Sequence, residues 1–91
     1  MMRYGRVIFL FIIIAALTAC GPSAAGYNND GNDAFESSQF NEALDSYNSA
    51  KQEDPSLPEP YYNSGNALHR QGDLDSASLQ LQEALRAGAK A

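Results

Sequence analysis

The sequence predicts an all-α protein in which two helical hairpins follow an N-terminal export signal. The first 19 residues combine a charged start with an apolar run, unlike the rest of the chain. From position 20 onward the chain contains no Val, Ile or Thr, the β-branched residues that fill strands. The pattern Y-x-N-x-G-N occurs at residues 27–32 and again at 61–66, 34 positions later. A fixed period of about 20 to 50 residues is typical of repeat architectures.

Residues 1–19 have the composition of a secretory signal peptide. Arg3 and Arg6 precede an unbroken apolar run of eleven residues, from Val7 to Leu17. A helix that spans a bilayer needs about 20 apolar residues, whereas a run of about 7 to 15 after a charged start is typical of a cleaved signal. We therefore expect the protein to be exported.

The apolar run ends in Leu17-Thr18-Ala19-Cys20, which resembles the lipobox of bacterial lipoproteins. In that family the cysteine thiol receives a diacylglyceryl group, the peptidase cuts before it, and further acyl chains such as palmitate can follow. Cys20 is the only cysteine, and an unpaired thiol in an exported chain calls for an explanation. The resemblance implies a lipid anchor at Cys20, on the outer membrane or cell surface. An uncleaved anchor and an ordinary signal with an incidental cysteine remain as alternatives.

The charge of the chain limits its partners. Six basic and eleven acidic residues give the whole chain a net charge of −5. Loss of Arg3 and Arg6 with the signal leaves four basic residues against eleven acidic ones, a net −7. An acidic surface has no electrostatic attraction for nucleic acid, so we expect no nucleic-acid partner.

The exported part divides into a short tether and two repeats. Residues 20–26 lack periodicity and predict an acylated cysteine with a flexible tether, whose last residues can enter the first helix. Laying residues 24–57 over residues 58–91 gives two copies of one pattern. The identical pairs are Tyr27/Tyr61, Asn29/Asn63, Gly31/Gly65, Asn32/Asn66, Ala43/Ala77 and Ala50/Ala84.

Each copy has the spacing of a helical hairpin. Tyr61, Gly65 and Leu68 form one helical stripe in the second copy. The stripes of the two second helices are Phe40, Ala43, Leu44, Tyr47 and Ala50, and Leu74, Ala77, Leu81, Ala84 and Leu85.

The hairpin turns and the linker also have recognisable residues. Gly72-Asp73 predicts a left-handed helix stop followed by an N-cap. Ser38 replaces that glycine in the first copy, which predicts either a strained turn, at about 1 kcal/mol, or a turn of another shape. Pro55, Pro58 and Pro60 cannot continue a helix but can begin one.

The two copies resemble the tetratricopeptide repeat (TPR), a helix-turn-helix unit of 34 residues. Its pattern is an aromatic residue, Gly, and an aromatic residue or Leu on the first helix, then Ala, an aromatic residue and Ala on the second, closed by Pro. The second copy carries it as Tyr61, Gly65, Leu68, Gly72, Leu74, Ala77, Leu81 and Ala84, and the first as Tyr27, Gly31, Phe40, Ala43, Tyr47, Ala50 and Pro55. The resemblance covers residues 24–91 and implies a short α-solenoid of two TPR hairpins.

The resemblance also implies a binding groove, because the first helices of TPR hairpins line a concave surface that receives a peptide or a partner helix. Carried onto this chain, the groove residues are Asn28, Asn32, Phe35, Tyr62, Asn66, His69 and Arg70. Asn32 and Asn66 are the favoured pair, because an amide offers both a donor and an acceptor to a peptide backbone. The alternative is that these are ordinary solvated surface residues.

The sequence gives little support for catalysis or for a metal site. His69 is the only histidine, and the chain has no second cysteine and no Gly-rich phosphate loop. Asn28, Asp30 and Gly31 match three positions of a calcium loop, but Gly26 and Ser37 would stand where it needs an oxygen ligand and a bidentate Glu. We expect no enzyme activity, no cofactor and no bound metal.

Two functions are consistent with this pattern. One is a protein- or peptide-binding adaptor anchored in the bacterial cell envelope. The other is a structural subunit of an envelope complex that stacks its uncapped second hairpin on a partner or on itself, because nothing in the sequence covers Leu79, Leu81 or Leu85. The sequence leaves open the partner, the membrane, the oligomeric state and whether the chain is part of a longer repeat array.

Overall fold

The structure, a computed structural model, describes residues 21–90, and it describes the side chains of residues 21–89. Four helices follow one another: α1 Ala24–Glu36, α2 Phe40–Glu53, α3 Glu59–Arg70 and α4 Leu74–Lys90. No strand occurs in this part of the chain, which confirms the all-α fold of two hairpins. The predicted signal peptide and Cys20 lie outside the described residues. None of the four helices is both long and apolar enough to cross a bilayer.

Helix α1 begins earlier than the predicted tether ends. Ser23 is its N-cap, and the Ser23 hydroxyl accepts a hydrogen bond of 3.1 Å from the backbone N–H of Gly26. This bond satisfies one of the free donors at the helix start. Residues 24–26 are therefore helical, and residues 21–23 separate the helix from Cys20.

The two hairpin turns share one backbone shape. Ser38 and Gly72 both adopt the left-handed conformation, with φ of 60° and 84°. The N–H of each bonds to the carbonyl three residues before, and the next N–H bonds to the carbonyl five residues before it, as in a Schellman motif. The Asp73 carboxylate accepts a bond of 3.3 Å from the N–H of Ser76, which confirms the predicted N-cap. The first turn thus keeps its shape at the cost of a strained Ser38.

The linker between the hairpins is a tight turn followed by a proline start. Asp54 accepts hydrogen bonds from the backbone N–H and the hydroxyl of Ser56, at 3.1 and 2.6 Å. Pro58 is the N-cap of α3, and Pro60 lies buried in its first turn. The prediction that these prolines begin a helix is confirmed.

The core lies in the first hairpin and at its contact with α3. Tyr47 is only 1% exposed and packs with Ala43 and with Ala67 of α3. Its ring fills the space over Gly31, because a Cβ atom at that glycine would lie 2.5 Å from Tyr47 Cδ1. Burial raises the pKa of the Tyr47 hydroxyl, which donates a 2.8 Å hydrogen bond to Asn32 Oδ1.

In the second hairpin, Ala77 is the one buried residue of the predicted α4 stripe. Ala77 is buried beside Gly65, whereas Leu81 is 39% and Leu85 is 77% exposed. Leu74 and Leu79 are exposed as well. The open side predicted for α4 is confirmed, and the predicted stripe of that helix is only partly buried.

Candidate protein-binding surface

Helices α1 and α3 lie side by side and are joined by an amide pair. The side-chain nitrogen of Asn63 donates a 3.0 Å hydrogen bond to Asn28 Oδ1, and both residues are half-buried. Asn28 was predicted to face a ligand, but its carbonyl is occupied by the neighbouring repeat. Asn63 was not predicted as a site residue. The sequence signal for Asn63 was that an asparagine, Asn29, stands at the equivalent position of the first copy, although Asn29 is exposed.

Asn32 and Asn66, the favoured pair, have different surroundings. Asn32 accepts the bond from the Tyr47 hydroxyl, so its carbonyl supports the packing of α2 on α1. Asn66 is half-buried and makes no side-chain hydrogen bond within residues 21–89. The difference arises because Leu81, which has no hydroxyl, occupies the position equivalent to Tyr47. The donor and the acceptor of the Asn66 amide are therefore both unused within residues 21–89.

Two more of the predicted groove residues, Phe35 and Arg70, contact each other at the C-terminal ends of α1 and α3. Phe35 meets Phe40 edge to face, with ring centroids 5.3 Å apart. The guanidinium carbon of Arg70 lies 5.6 Å from the Phe35 centroid and 5.3 Å from the Phe40 centroid. His69 is exposed beside them in the last turn of α3. Phe35 and Arg70 thus come together, with Phe40 of α2 as a third member that the sequence did not single out for binding.

Tyr62 lies in a different groove, between α3 and α4. It is 56% exposed and lines an open depression of about 440 Å³. The other lining residues are Pro58, Glu59, Leu81, Ala84 and Leu85. The structure therefore separates Tyr62, which lines this apolar groove, from Phe35 and Arg70, which contact each other.

A half-buried lysine connects three helices. Lys51 Nζ donates hydrogen bonds of 2.8 Å to Gln80 Oε1 of α4 and 3.2 Å to Asn48 Oδ1 of α2. It also lies 5.1 Å from the centroid of the Tyr61 ring on α3. Burial lowers the pKa of Lys51. This junction was not predicted, because the residue equivalent to Lys51 in the second copy is Leu85.

The described residues do not assemble a metal site. Within residues 21–90, no group of three or more His, Cys, Asp or Glu side chains is placed to hold an ion. The surface has apolar, amide and cationic groups, which suit the binding of another protein.

The comparison with known families agrees with this geometry. A family model described as TPR repeat matches residues 31–72. The match runs from Gly31 in α1 to Gly72 in the turn before α4, so the two hairpins resemble TPR repeats. No curated protein is significantly similar to the chain. TPR hairpins are modules of protein–protein interaction, so the match suggests a protein-binding role for this chain.

Proposed function

We propose that this chain is a lipoprotein of the bacterial cell envelope whose TPR hairpins act as an adaptor for a protein or peptide partner. The observation that supports binding best is the apolar groove beside Tyr62. Leu81 and Leu85 leave large apolar surfaces in water there. Each Å² of apolar surface removed from water contributes about 25 cal/mol, and exposed apolar patches of this kind mark protein contacts.

The groove has the chemistry of a contact hot spot. Tyr62 offers a large ring with a polar tip, and tyrosine is enriched among the residues that dominate binding energy. Asn66 does not line the groove, but it lies one helical turn further along α3, where its amide can bond to a peptide backbone. The partner in this proposal places an apolar side chain against Tyr62 and its backbone near Asn66.

Photo-crosslinking in the full chain tests this adaptor function. A benzophenone amino acid replaces Tyr62 or Asn66 in cells, with Gln52 on the exposed side of α2 as the matched control. We expect one discrete crosslinked band from positions 62 and 66 and none from position 52. Equal crosslinking from all three positions, or no band from 62 and 66, would contradict the adaptor function.

The lipid anchor of this proposal rests on the sequence around Cys20. Cys20→Ser removes the thiol that would receive the diacylglyceryl group. We expect the variant to accumulate as uncut precursor and to incorporate no labelled palmitate, whereas Ser23→Ala, three residues later, matures normally. A Cys20→Ser chain that is cut and labelled like the wild type would rule out acylation at this residue.

The same groove supports the second candidate, a structural subunit that stacks its open end on a partner. A shift of 34 residues places Leu81, Ala84 and Leu85 on Tyr47, Ala50 and Lys51. That surface of the first hairpin is covered by α3, through Ala67 against Tyr47 and Tyr61 against Lys51. The groove between α3 and α4 is therefore the position that the first helix of a further hairpin would occupy.

Helix α1 of a second copy of this chain does not suit that position. In a head-to-tail stack α1 of the next copy would take the place of α3, so Asp30 and Asp33 would replace Ser64 and Ala67. Ser64 and Ala67 are fully buried, whereas both aspartates are exposed in the free chain. Burying two unpaired carboxylates is strongly unfavourable. The stacking candidate therefore requires a different protein.

The oligomeric state of the full chain in mild detergent tests this exclusion. Light scattering over a wide concentration range should show no open-ended growth for the wild type. The variant Asp30→Ser with Asp33→Ala should lengthen into chains, because its α1 carries the residues of α3 at both positions. Open-ended growth of the wild type would show that the aspartates do not block stacking.

A further inference from the structure

The first helices of the two hairpins start at the same end of the domain. Asn63 and Asn28, which share a 3.0 Å hydrogen bond, are each the fifth residue of their helix. Near the other ends of these helices, the guanidinium carbon of Arg70 lies 5.6 Å from the Phe35 ring centroid. Helices α1 and α3 are therefore parallel and in register, with their starts side by side at about 8 to 10 Å.

The apolar groove opens at this same end. Pro58 and Glu59, at the start of α3, line it together with Leu85 of α4. The last turn of α4 passes beside them, since a Cβ atom at Gly88 would lie 4.0 Å from Pro58 Cβ. Tyr62 lies only about 5 Å further along α3, because a helix rises about 1.5 Å per residue. A segment bound in the groove therefore lies next to the start of α1.

The tether between the proposed lipid anchor and α1 is short. Helix α1 begins at Ala24, four residues after Cys20. Four residue steps of a fully extended chain reach at most about 14 Å. Since the neighbouring helix starts about 10 Å away, Pro58 lies within about 25 Å of Cys20 whichever way the domain tilts. The start of the groove is thus confined to a layer next to the membrane surface.

The charges around the groove disfavour lipid itself as the occupant. Glu59 is an exposed carboxylate that lines the groove, and Glu53 and Asp54 lie at the same end, where α2 meets the linker. Anionic headgroups repel these groups, and moving a carboxylate among acyl chains is strongly unfavourable. A protein segment can instead place apolar side chains on Leu81 and Leu85 and a lysine or arginine beside Glu59.

We propose that the groove binds the membrane-proximal segment of a protein held in the same membrane, with an apolar side chain against Tyr62 and a basic residue beside Glu59. Membrane proteins carry aromatic and basic residues where their chains leave the bilayer, which is the chemistry that an apolar groove with one carboxylate can receive. The short tether keeps the groove at the level of such a segment and raises its effective concentration there. This proposal rests on the proposed adaptor function and its lipid anchor.

Spacers inserted between Gly21 and Pro22 of the full chain test this location. One chain receives about 30 residues of a helical Glu-Ala-Ala-Ala-Lys repeat, which lifts the domain by about 45 Å. The matched chain receives about 30 Gly and Ser residues, whose flexibility lets the domain return to the membrane. Both chains carry the benzophenone amino acid in place of Tyr62 and are compared in cells with the chain that has no spacer.

We expect the helical spacer to reduce the crosslinked protein band about tenfold or more and the flexible spacer to keep most of it. Undiminished capture through the helical spacer would overturn the proposal, because the partner would then be reached far from the membrane. Equal loss from both spacers would also contradict it, since the flexible spacer preserves access to the membrane. Crosslinking to phospholipid alone, detected by labelling with radioactive phosphate, would identify lipid as the occupant and overturn the proposal as well.

A charge variant tests the basic residue of the partner. Glu59→Gln should lower capture from position 62 about threefold, since an exposed charge pair contributes modestly to binding. Glu53→Gln removes an exposed carboxylate at the same end but outside the groove, so it is the matched control and should capture like the wild type. Equal capture by the two variants would refute the pairing with Glu59.

A failure of this proposal is distinguishable from a failure of the adaptor function. If position 62 captures one protein equally with and without the helical spacer, the adaptor function stands and the membrane location of the partner is wrong. If position 62 captures no protein even without a spacer, the adaptor function fails and this proposal fails with it.

Discussion

The two hairpins follow one 34-residue plan but differ in what covers their second helix. Tyr47 of the first hairpin is 1% exposed because α3 packs over it, whereas Leu81, its equivalent, is 39% exposed. Ala50 is likewise buried, and its equivalent Ala84 is only half-buried. In a solenoid each repeat buries its surface against its neighbours. The first hairpin is thus the core of the described domain, and the second offers the surface that a partner can cover.

The largest expected contrast is between truncations of the two equivalent side chains. Tyr47→Ala removes a fully buried aromatic ring and should cost about 3 to 5 kcal/mol, enough to unfold a small domain. Leu81→Ala should cost about 1 to 2 kcal/mol, because part of that side chain already contacts water. Urea unfolding of the full chain, followed by circular dichroism, measures both. Tyr47→Phe, which removes only the hydroxyl bonded to Asn32, should cost about 1 kcal/mol and keeps the measurement possible if the alanine variant does not fold.

Equal losses of stability from Tyr47→Ala and Leu81→Ala would contradict the comparison. They would mean that α4 is as well covered in solution as α2, for example by a contact between copies.

The sequence predicted the parts of this fold that depend on local geometry. Gly72-Asp73 predicted the second turn, and the prolines predicted the start of α3, because both act through the backbone of their own segment. The exposure of Leu81 and Leu85 on α4 was also predicted. The Lys51 junction could not, because it depends on three helices meeting and on a residue that the second copy does not repeat.

The candidate site was only partly predictable for the same reason. The resemblance placed Asn28, Asn32 and Asn66 on one surface but gave no account of the bonds that occupy two of them. The position of Arg70 over Phe35 and Phe40 joins three helices and has no counterpart in the 34-residue pattern. Contacts that cross between elements and break the repeat are visible only in three dimensions.

The second prediction contrasts the two glycines beneath these side chains. A Cβ atom at Gly31 would lie 2.5 Å from Tyr47 Cδ1, and the buried ring has no room to move. Gly31→Ala should therefore cost about 1 to 3 kcal/mol, despite the better helix propensity of alanine. At Gly65 the nearest atom is Leu81 Cδ2 at 3.0 Å, on a side chain that can rotate toward water, and the Ala77 backbone oxygen lies 3.3 Å away. Gly65→Ala should change stability by about 1 kcal/mol or less.

Both glycine variants are measured by the same urea unfolding, and the order of the two losses is the result that matters. A Gly65→Ala chain that is less stable than Gly31→Ala would show that Leu81 is held in place by a neighbour.

The third prediction concerns a buried hydroxyl at the contact between the hairpins. Ser64 is 1% exposed, and its hydroxyl oxygen has no hydrogen-bond partner in the described part of the chain. An unsatisfied buried hydroxyl is destabilising, so Ser64→Ala should raise stability by about 1 kcal/mol. Asp30→Ala, at the equivalent exposed position of α1, should change it by about 0.5 kcal/mol at most. A loss of stability in Ser64→Ala would indicate that the hydroxyl has a partner in solution.

The smallest expected effect separates the two turns. Ser38 adopts the left-handed conformation that Gly72 adopts without strain, with φ of 60°. That conformation costs a residue with a Cβ atom about 1 to 2 kcal/mol, whereas glycine loses about 0.5 to 1 kcal/mol through its freer unfolded state. Ser38→Gly should therefore stabilise the domain by about 0.5 to 1 kcal/mol, and the reverse change Gly72→Ser should destabilise it by a similar amount. Thermal unfolding of the two variants beside the wild type measures shifts of this size. A lower melting temperature for Ser38→Gly, with no change for Gly72→Ser, would contradict this prediction. It would mean that the first turn has another shape in solution and that the two turns are not equivalent.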